Sequence, residues 1–410
     1  MRAVGEGRLA NDSQSFERHI DRCLGCRACE QVCPAGVEYD QLLGTARAEL
    51  FSSAKQRGLS YKALRFALKY IWLHPARLRF AFALARLLRD SGLAGVLLKF
   101  GVARILSRRF EFGLALLQSS KSNPKTKLFV AGQKRSLDDE RPTAKKANKQ
   151  SSSANSALLF TGCVGEGLFS RVNKATARVL EINGIGTNVP DKQVCCGALH
   201  AHAGDLAGAS ALARQNIEVF SHNENLPIVT NAGGCGAMLA SYGHLLSSDE
   251  TFAEPARKFS ERIRDISQQL KSVGAKTGAS ITAEPVTYDA SCHLLYGQHA
   301  GEAPLEILAA ISELSFVRLQ ESERCCGGAG IYNLLEPDLS REVLTEKLAN
   351  IKASGAQILA TGNPGCQMQI GAGALLAGMK LKICHPIELL DESYARAGMY
   401  SQELCTKSRD

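Results

Sequence analysis

Apolar residues recur every three or four positions through residues 60–117, and Arg or Lys fills many of the positions between them. This spacing predicts basic amphipathic helices, of which Pro75 separates two and the Ser91-Gly92 pair ends the second. A further helix is predicted in "YDQLLGTARAELF", residues 39–51. Helices of this pattern usually bury their apolar stripe on their own domain. A basic amphipathic surface also suits docking to a subunit or to lipid headgroups.

Residues 119–156 are polar, poor in aromatic residues and rich in Lys and Ser, which predicts a flexible basic linker. Beyond the linker the pattern changes to short β-prone runs, "ALLF", "PIVT", "PVTY" and "QILA". Helix-like stretches such as "FSRVNKATARVLEIN" and "AGASALARQNIEVF" lie between them. This alternation predicts a parallel α/β sheet, in which ligands bind beyond the carboxyl ends of the strands.

The part of the chain after the linker is an internal repeat. Its cysteine sites recur 129 to 131 residues apart: Cys163 with Cys292, Cys195-Cys196-Gly197 with Cys325-Cys326-Gly327, and Cys235 with Cys366. The context repeats as well, since "LPIVTNAGGCGAM" corresponds to "AQILATGNPGCQM". We therefore predict two Cys-rich α/β units, at 157–283 and 284–400, followed by a tail at 401–410.

Composition and charge narrow the class of protein. The chain is 45% hydrophobic and 22% charged, as in a soluble globular protein, and its N-terminus lacks the apolar core of a signal peptide. We expect no membrane span and a location in the reducing cytoplasm, where clustered cysteines usually bind metals. Residues 1–150 carry 28 Lys and Arg against 13 Asp and Glu, whereas residues 151–410 carry 21 against 27. The basic first part favours an acidic partner or an anionic surface.

The first cysteine cluster reads C-x2-C-x2-C-x3-C-P and comprises Cys23, Cys26, Cys29 and Cys33. This is the bacterial ferredoxin spacing for a [4Fe–4S] cluster, although a CxxC pair also suits zinc. In two-cluster ferredoxins the fourth cysteine of such a run binds the other cluster. Cys33 therefore either completes the same cluster or reaches toward a second one. The fold class predicted is α+β multidomain: a helical ferredoxin-like [4Fe–4S] domain at 1–118, then the two units.

Each repeat unit supplies four cysteines that we predict to be metal ligands: Cys163, Cys195, Cys196 and Cys235, and Cys292, Cys325, Cys326 and Cys366. Adjacent cysteines can bind different irons of a cluster, and the glycine after each pair permits a tight turn. A structural zinc ion or a redox disulfide is the alternative to additional iron–sulfur clusters. His200, His202 and His293 either pack or hydrogen-bond a cluster or substrate. Cys384 and Cys405 lie outside the repeat register and are expected to be ordinary thiols.

The chain resembles the family of glycolate oxidase (glycolate dehydrogenase) iron–sulfur subunits, within the Cys-Cys-Gly domain family to which heterodisulfide reductase also contributes a member. The resemblance rests on "HIDRCLGCRACEQVCPAGVEYDQLL", "CCGALHAHAG", "VTYDASCHLLYGQ", "ERCCGGAGIYNLLEP" and "GNPGCQMQIGAGALLAG". It implies a three-subunit oxidoreductase acting on a CH–OH donor, whose flavin subunit oxidises glycolate to glyoxylate. This subunit passes the electrons to a membrane acceptor such as quinone, from the cytoplasm or the inner face of the plasma membrane.

Two departures from the family pattern affect these expectations. The family has two ferredoxin motifs and this chain shows one, so that either Met1 is an internal or misassigned start or the first motif has been lost. Family members with a non-cubane cluster use a further CxxC, whereas "GAM" follows Cys235 and "QMQ" follows Cys366. The cluster type in the units therefore stays open.

Other functions compete with glycolate oxidation. Related lactate and glycerol-3-phosphate dehydrogenase iron–sulfur subunits share the cysteine skeleton. A catalytic subunit like that of heterodisulfide reductase, or a zinc-stabilised scaffold, is the further alternative. No nucleic-acid partner is expected, because the Lys-rich linker lacks interleaved aromatic residues.

Overall fold

The computed structural model of the chain describes residues 1–11, 13–53, 58–121 and 155–400. Most of the predicted linker, the whole tail and Cys405 lie outside these residues. Among the described residues no helix is long and apolar enough to cross a bilayer.

The N-terminal part consists of four helices, and the structure describes no strand in it: α1 (Arg2–Gly5), α2 (Gln14–Asp21), α3 (Ala28–Gln31) and α4 (Tyr39–Ser53). The Ser13 side chain caps α2 by accepting a hydrogen bond from the Phe16 N–H. Phe16 and Ile20 of α2 pack on Leu43 and Leu50 of α4. The helix predicted at 39–51 is therefore present, whereas the ferredoxin-like character of this part stays a prediction.

A layer of helices follows: α5 (Leu59–Ala67), a π-helical turn (Leu68–Trp72), α6 (Pro75–Asp90), α7 (Leu93–Lys99), α8 (Val102–Leu106) and α9 (Arg108–Ser119). As predicted, a helix begins at Pro75. Proline suits the first helical position, because a backbone N–H there would have no partner within the helix. The Phe82 ring packs on Gly167, where a Cβ would lie 2.5 Å from it. The Arg86 guanidinium donates to the Gly167 carbonyl at 2.7 Å. These contacts bury only the inner face of α6.

The prediction that these helices bury their apolar stripe is therefore only partly right. The outer face of α6 keeps large apolar side chains exposed, among them Phe80 and Leu87. Helical periodicity predicts that the apolar residues lie on one side of a helix. When this apolar side is wider than the surface that packs against it, the remaining apolar residues stay exposed to solvent.

The first unit contains a parallel sheet of order β2-β1-β3-β4. Its strands are β1 (Ser156–Phe160), β2 (Gly186–Asn188), β3 (Ile228–Thr230) and β4 (Ile263–Asp265). Its helices are α10 (Cys163–Leu168), α11 (Ser170–Ile182), α12 (Ala198–Ala203), α13 (Leu206–Phe220), α14 (Gly233–Ala240), α15 (Tyr242–Leu245), α16 (Ala253–Glu261) and α17 (Ile266–Val273), with a 3-10 turn at Ser221–Asn223.

The second unit contains a parallel sheet of order β5-β6-β7. Its strands are β5 (Val286–Asp289), β6 (Ile358–Thr361) and β7 (Lys382–Cys384). Its helices are α18 (Ala303–Ala309), α19 (Tyr332–Leu335), α20 (Pro337–Ala353), α21 (Pro364–Leu376) and α22 (Pro386–Arg396), with a π-helical turn at His293–Gly297. The predicted α/β character of both units is confirmed, and the strands predicted around each cysteine site are present. The short strands β2, β4 and β7 carry too few apolar residues to have been predicted.

The two units pack against each other through the loops that follow their strands. The Gly233 N–H donates to the Gly362 carbonyl at 3.0 Å, and the Gly234 N–H donates to Asn363 Oδ1 at 3.2 Å. Buried residues of both units, such as Val229 and Val286, belong to one apolar core. The carboxyl ends of the two sheets therefore lie on the same side as the unit interface.

Candidate metal centres

The first cysteine of each unit directly follows the first strand of that unit. Cys163 begins α10 three residues after β1 ends, and Cys292 lies between β5 and the π-helical turn. Gly162 precedes Cys163 with φ +68, and a Cβ on it would lie 3.5 Å from the Cys235 sulfur. A glycine is therefore suited to this position, where the backbone passes close to the Cys235 sulfur immediately before Cys163.

The adjacent cysteine pairs lie in tight turns that require the following glycine. Gly197 has φ +88 and lies against Ala209 of α13, and Gly327 has φ +82 with a Cβ position 2.5 Å from the Ser340 carbonyl oxygen. Both features exclude a side chain, because L-residues rarely adopt this φ and the space is filled. The turns present the two neighbouring sulfurs toward different parts of the unit.

The structure brings the four predicted cysteines of each unit together as two sulfur pairs. In the first unit the Sγ–Sγ distances are 3.4 Å for Cys163–Cys195 and 3.3 Å for Cys196–Cys235. In the second unit they are 4.0 Å for Cys292–Cys325 and 3.4 Å for Cys326–Cys366. Cys235 and Cys366 lie in the first turns of α14 and α21. The four cysteines predicted as ligands in each unit therefore lie close together in the structure.

The electrostatics of these sulfurs reflect their contacts and burial. The hydrogen bond between Cys163 and Cys195, followed by burial, raises the pKa of Cys163 well above its usual value. The bond with Cys325 and burial likewise raise the pKa of Cys292. Hydrogen bonds from Cys292 and Cys326 lower the pKa of Cys325. A metal bound here would have to displace protons from most of these thiols.

The donor set fits a soft metal centre, because each unit offers four thiols, which are soft ligands. All four cysteines of the second unit are buried, and those of the first unit are buried or half-buried. In the described part of the chain, no three His, Cys, Asp or Glu side chains are arranged around one point as ligands of a single ion. Paired sulfurs suit a centre with several metal atoms at least as well as one tetrahedral ion.

The N-terminal motif forms a loop around α3, with Cys23 after α2 and Cys29 within α3. Arg47 of α4 fixes the loop, since its Nη2 donates to the Cys23 carbonyl at 2.7 Å. Burial, followed by the neighbouring Cys23, raises the pKa of Cys29. Hydrogen bonds from the backbone N–H groups of Val37 and Ala35 lower the pKa of Cys33. Cys33 thus has a different surrounding from the other cysteines of the motif.

The N-terminal cysteine loop lies directly against the cysteines of the second unit. His293, next to Cys292, approaches the Gly25 carbonyl with Nε2 at 3.2 Å, so that this nitrogen carries the hydrogen. Burial raises the pKa of Cys26, and the nearby Cys325 raises it further. The predicted N-terminal site and the second-unit site are therefore neighbours, which sequence separation did not indicate.

The three histidines differ in their surroundings. His200 Nδ1 lies 2.7 Å from Asp205 Oδ2, a local contact at the start of α13. His202 of the first unit stacks on His293 of the second, with ring centroids 5.3 Å apart and planes at 26°. Burial, and then His293, lowers the pKa of His202 well below its usual value, so that its ring is neutral. His202 and His293 therefore join the two units beside the cysteine sites.

Cys384 ends β7, where its sulfur contacts the Leu359 carbonyl at 3.9 Å, and burial raises its pKa. Sequence reasoning missed another feature of the site, the buried pair of Lys347 and Asp289 beside the second-unit cysteines. The repeat period could have drawn attention to this pair, because the two units differ at these positions. Positions 217 and 160 of the first unit, which correspond to these two, hold apolar residues.

Comparisons with known proteins agree with the resemblance to glycolate oxidase iron–sulfur subunits. A family model described as cysteine-rich domain (CCG) matches the chain twice, at residues 157–240 and 286–371. The chain is 35% identical over 398 residues to the probable glycolate oxidase iron-sulfur subunit of Bacillus subtilis (strain 168), covering 96% of this chain and 86% of that protein. It is 28% identical over 382 residues to the glycolate oxidase iron-sulfur subunit of Escherichia coli (strain K12), covering 92% and 82%.

A second group of relatives matches a shorter part of the chain. Lactate utilization protein A of Oceanobacillus iheyensis is 32% identical over 234 residues, which is 57% of this chain and 95% of that protein.

Proposed function

The chain belongs to the family of glycolate oxidase iron–sulfur subunits, and from this premise we propose that it is the electron-transfer subunit of a complex that oxidises glycolate to glyoxylate. Oxidation of the substrate takes place on a flavin-containing partner subunit. This chain passes the electrons toward a quinone-type acceptor at the inner face of the plasma membrane.

One observation carries the proposal: the N-terminal cysteine loop lies on the cysteine set of the second unit. The contact between His293 Nε2 and the Gly25 carbonyl joins the two sites, and Cys26 is close enough to Cys325 to be influenced by its charge. Two proposed metal sites that lie next to each other are what an electron-transfer protein needs. A scaffold stabilised by separate zinc ions has no such requirement.

The residues proposed to hold the clusters are those predicted from the sequence. Cys23, Cys26, Cys29 and Cys33 would hold a [4Fe–4S] cluster. The four cysteines of each unit would hold further iron–sulfur clusters. Iron–sulfur clusters accept and release single electrons, which suits transfer from a two-electron flavin. The chain's own contribution is to bury the cysteines of the second unit and to fix the cysteine loops through Arg47, His293 and the glycine turns.

A second candidate substrate is lactate. The relative named lactate utilization protein A matches over 95% of its own length. The 2-hydroxy acid binds to the flavin subunit in the proposed complex, so that this chain's described residues do not discriminate between the two acids.

The test uses the chain purified anaerobically together with its flavin-containing partner subunits. Addition of glycolate should bleach the visible iron–sulfur absorbance, and lactate in a parallel sample should do so more slowly. Cys26→Ser should lower the extent of the bleaching by the contribution of the N-terminal cluster, whereas Cys384→Ser, a matched change outside the sulfur sets, should leave it intact. A complex that contains iron–sulfur clusters and oxidises glycolate, but whose iron–sulfur absorbance is not bleached by either acid, would contradict the proposal. Faster bleaching by lactate would assign the second substrate.

A further inference from the structure

The helical layer carries an unusual concentration of exposed apolar side chains. Of the 22 large hydrophobic residues that are exposed in the described part of the chain, 13 belong to residues 59–110. We call these the outer face: Leu59, Phe66, Tyr70, Phe80, Leu84, Leu87, Leu93, Val96, Phe100, Val102, Ile105, Leu106 and Phe110.

Within single helices, the residues of the outer face share one side. Phe80, Leu84 and Leu87 are spaced by four and three residues, which places them on one side of α6. Leu93 and Val96 have the same spacing on α7. The exposure is large, with Phe80 66% exposed and Leu87 67%. Apolar patches of this extent on a soluble protein mark interaction sites.

The opposite side of the layer is fixed, so the outer face cannot turn inward. Phe82 packs on Gly167 of the first unit, and Arg86 donates to the Gly167 carbonyl. The Ser119 hydroxyl donates to the Met368 carbonyl of the second unit at 3.1 Å. The first unit thus holds the layer through α6, and the second unit holds it through α9.

The charge of the layer is strongly positive. Residues 58–121 contain twelve Lys and Arg and only two acidic residues, Asp90 and Glu111. Asp90 is already paired with Arg89 at 2.8 Å. Lys99 and Arg104 are exposed, and Arg104 directly precedes the most exposed apolar residue of this face, Ile105, which is 85% exposed. By contrast, residues 151–410 carry an excess of acidic residues.

We propose that the outer face binds the anionic headgroup layer of a lipid bilayer, with its Phe, Leu and Ile side chains entering the acyl boundary. Helices with protruding apolar residues and abundant Lys and Arg bind such layers through both groups. A protein partner is the other occupant that such a face would suit, since protein interfaces are rich in aromatic residues and Arg, and the experiment below separates the two. The inference deepens the proposed function and rests on it for one point, that the acceptor resides in the membrane.

The acidic surplus of residues 151–410 gives the binding an orientation. An anionic bilayer attracts the helical layer and repels the rest of the chain, so that the outer face meets the lipid first. The electron-transfer sites then lie on the protein side of the layer, held there by the contacts of α6 and α9.

The experiment measures co-sedimentation of the full complex with vesicles. Vesicles of phosphatidylglycerol and phosphatidylcholine in equal parts should bind the complex, and vesicles of phosphatidylcholine alone should bind it much more weakly. The combined change Phe80→Ser, Leu84→Ser and Leu87→Ser should lower the partition coefficient about tenfold or more, because the apolar contacts are lost. Lys99→Glu with Arg104→Glu should lower it by a similar factor through charge.

The matched control is Val273→Ser with Phe316→Ser, two side chains that are each 42% exposed and lie in the two units. This variant should bind vesicles as the unchanged complex does. Thermal unfolding of each variant checks its fold, and the charge variant carries the test if the serine variant is unstable.

Three results would overturn the inference: no binding to anionic vesicles, equal binding by the outer-face variants, or loss of the flavin subunit from those variants. The last result would assign the outer face to a protein interface. Glycolate-driven bleaching, measured in the same samples without vesicles, reports separately on the proposed function. Intact bleaching without vesicle binding contradicts this inference alone, and vesicle binding without bleaching contradicts the proposed function alone.

Discussion

Lys347 and Asp289 form a buried ion pair beside the cysteine set of the second unit, with 2.9 Å between Nζ and Oδ1. The Lys347 ammonium also donates to the carbonyls of Glu321 and Ser322. Burial raises the pKa of Asp289, and the neighbouring ammonium only partly offsets this. Burial acts to lower the pKa of Lys347, but the Asp289 carboxylate outweighs it. The pair thus places two opposite charges near Cys325, Cys326 and Cys366.

The described residues of the first unit hold no counterpart of this pair. Ile217 and Phe160 occupy the corresponding positions and belong to the same apolar cluster as Cys195 and Cys196. The two cysteine sets are therefore repeated in geometry but differ in electrostatic surroundings.

The ion pair predicts a characteristic pattern of stability. Lys347→Met leaves the Asp289 carboxyl buried without its partner and should lower the free energy of unfolding by about 3–5 kcal/mol. Adding Asp289→Asn to it should recover most of the loss, because a buried pair replaced by neutral groups is often close to neutral. Chemical denaturation of the single and double variants measures the coupling. Equal losses in the two would contradict the role of the pair.

A second prediction concerns the docking of the N-terminal part on the first unit. Gly204 has φ +86, and a Cβ on it would lie 2.2 Å from the Arg47 carbonyl oxygen. Gly204→Ala should therefore be destabilising and should loosen residues 1–53, as measured by thermal unfolding and limited proteolysis.

Gly184→Ala is the matched control for this change. Gly184 has φ +77, but no atom of the described residues lies within 4 Å of its Cβ position. Gly184→Ala should lower the free energy of unfolding only by the cost of a left-handed backbone conformation, about 1–2 kcal/mol. In Gly204→Ala the clash should lower it by about 1–3 kcal/mol more. Similar melting temperatures for the two variants would show that Arg47 does not pack there.

Asp265 predicts a pH dependence of stability. Burial raises its pKa to about 6, although the Ser267 side chain and N–H lower it. Between about pH 4 and about pH 6 the unfolded chain loses this proton while the folded chain keeps it, so that stability falls as pH rises, by about 3 kcal/mol at most.

Asp265→Asn should remove this decrease while keeping the helix cap on α17. The difference in unfolding free energy between the variant and the unchanged chain should therefore shift in favour of the variant from about pH 4 to about pH 7. A constant difference across that range would show that Asp265 does not titrate as proposed.

The rate at which each proposed site loses iron should follow the exposure of its cysteines. Cys29 is exposed and Cys33 half-buried, whereas all four cysteines of the second unit are buried. Under an oxidant and a chelator, iron should leave in a fast phase from the N-terminal site and a slow phase from the units. Colorimetric iron release measures both phases, and Cys26→Ser should lack the fast one. A single phase in the unchanged chain would contradict this order.

The sequence predicted the elements that carry strong local patterns. Short β-prone runs indicated β1, β3, β5 and β6, and the helical period indicated α4, α6, α11 and α13. The period of 129 to 131 residues also predicted which cysteines converge, because repeated strands end at the same edge of a sheet.

Contacts between distant parts of the chain left no local pattern. The approach of Gly25 to His293 joins residues 268 positions apart and depends on how the N-terminal helices pack on both units. The exposure of the outer face likewise depends on which side of α6 packs on the first unit, and the structure shows that this is the side that carries Phe82. Neither follows from periodicity.

Electron paramagnetic resonance of the glycolate-reduced complex tests the central claim most directly, because magnetic coupling between paramagnetic centres requires them to be close. The unchanged complex should show interacting iron–sulfur signals. Cys26→Ser should leave the second-unit signal uncoupled, and Cys292→Ser should do the same for the N-terminal signal. Signals that stay uncoupled in the unchanged complex, or that neither variant alters, would contradict neighbouring iron–sulfur centres in this chain.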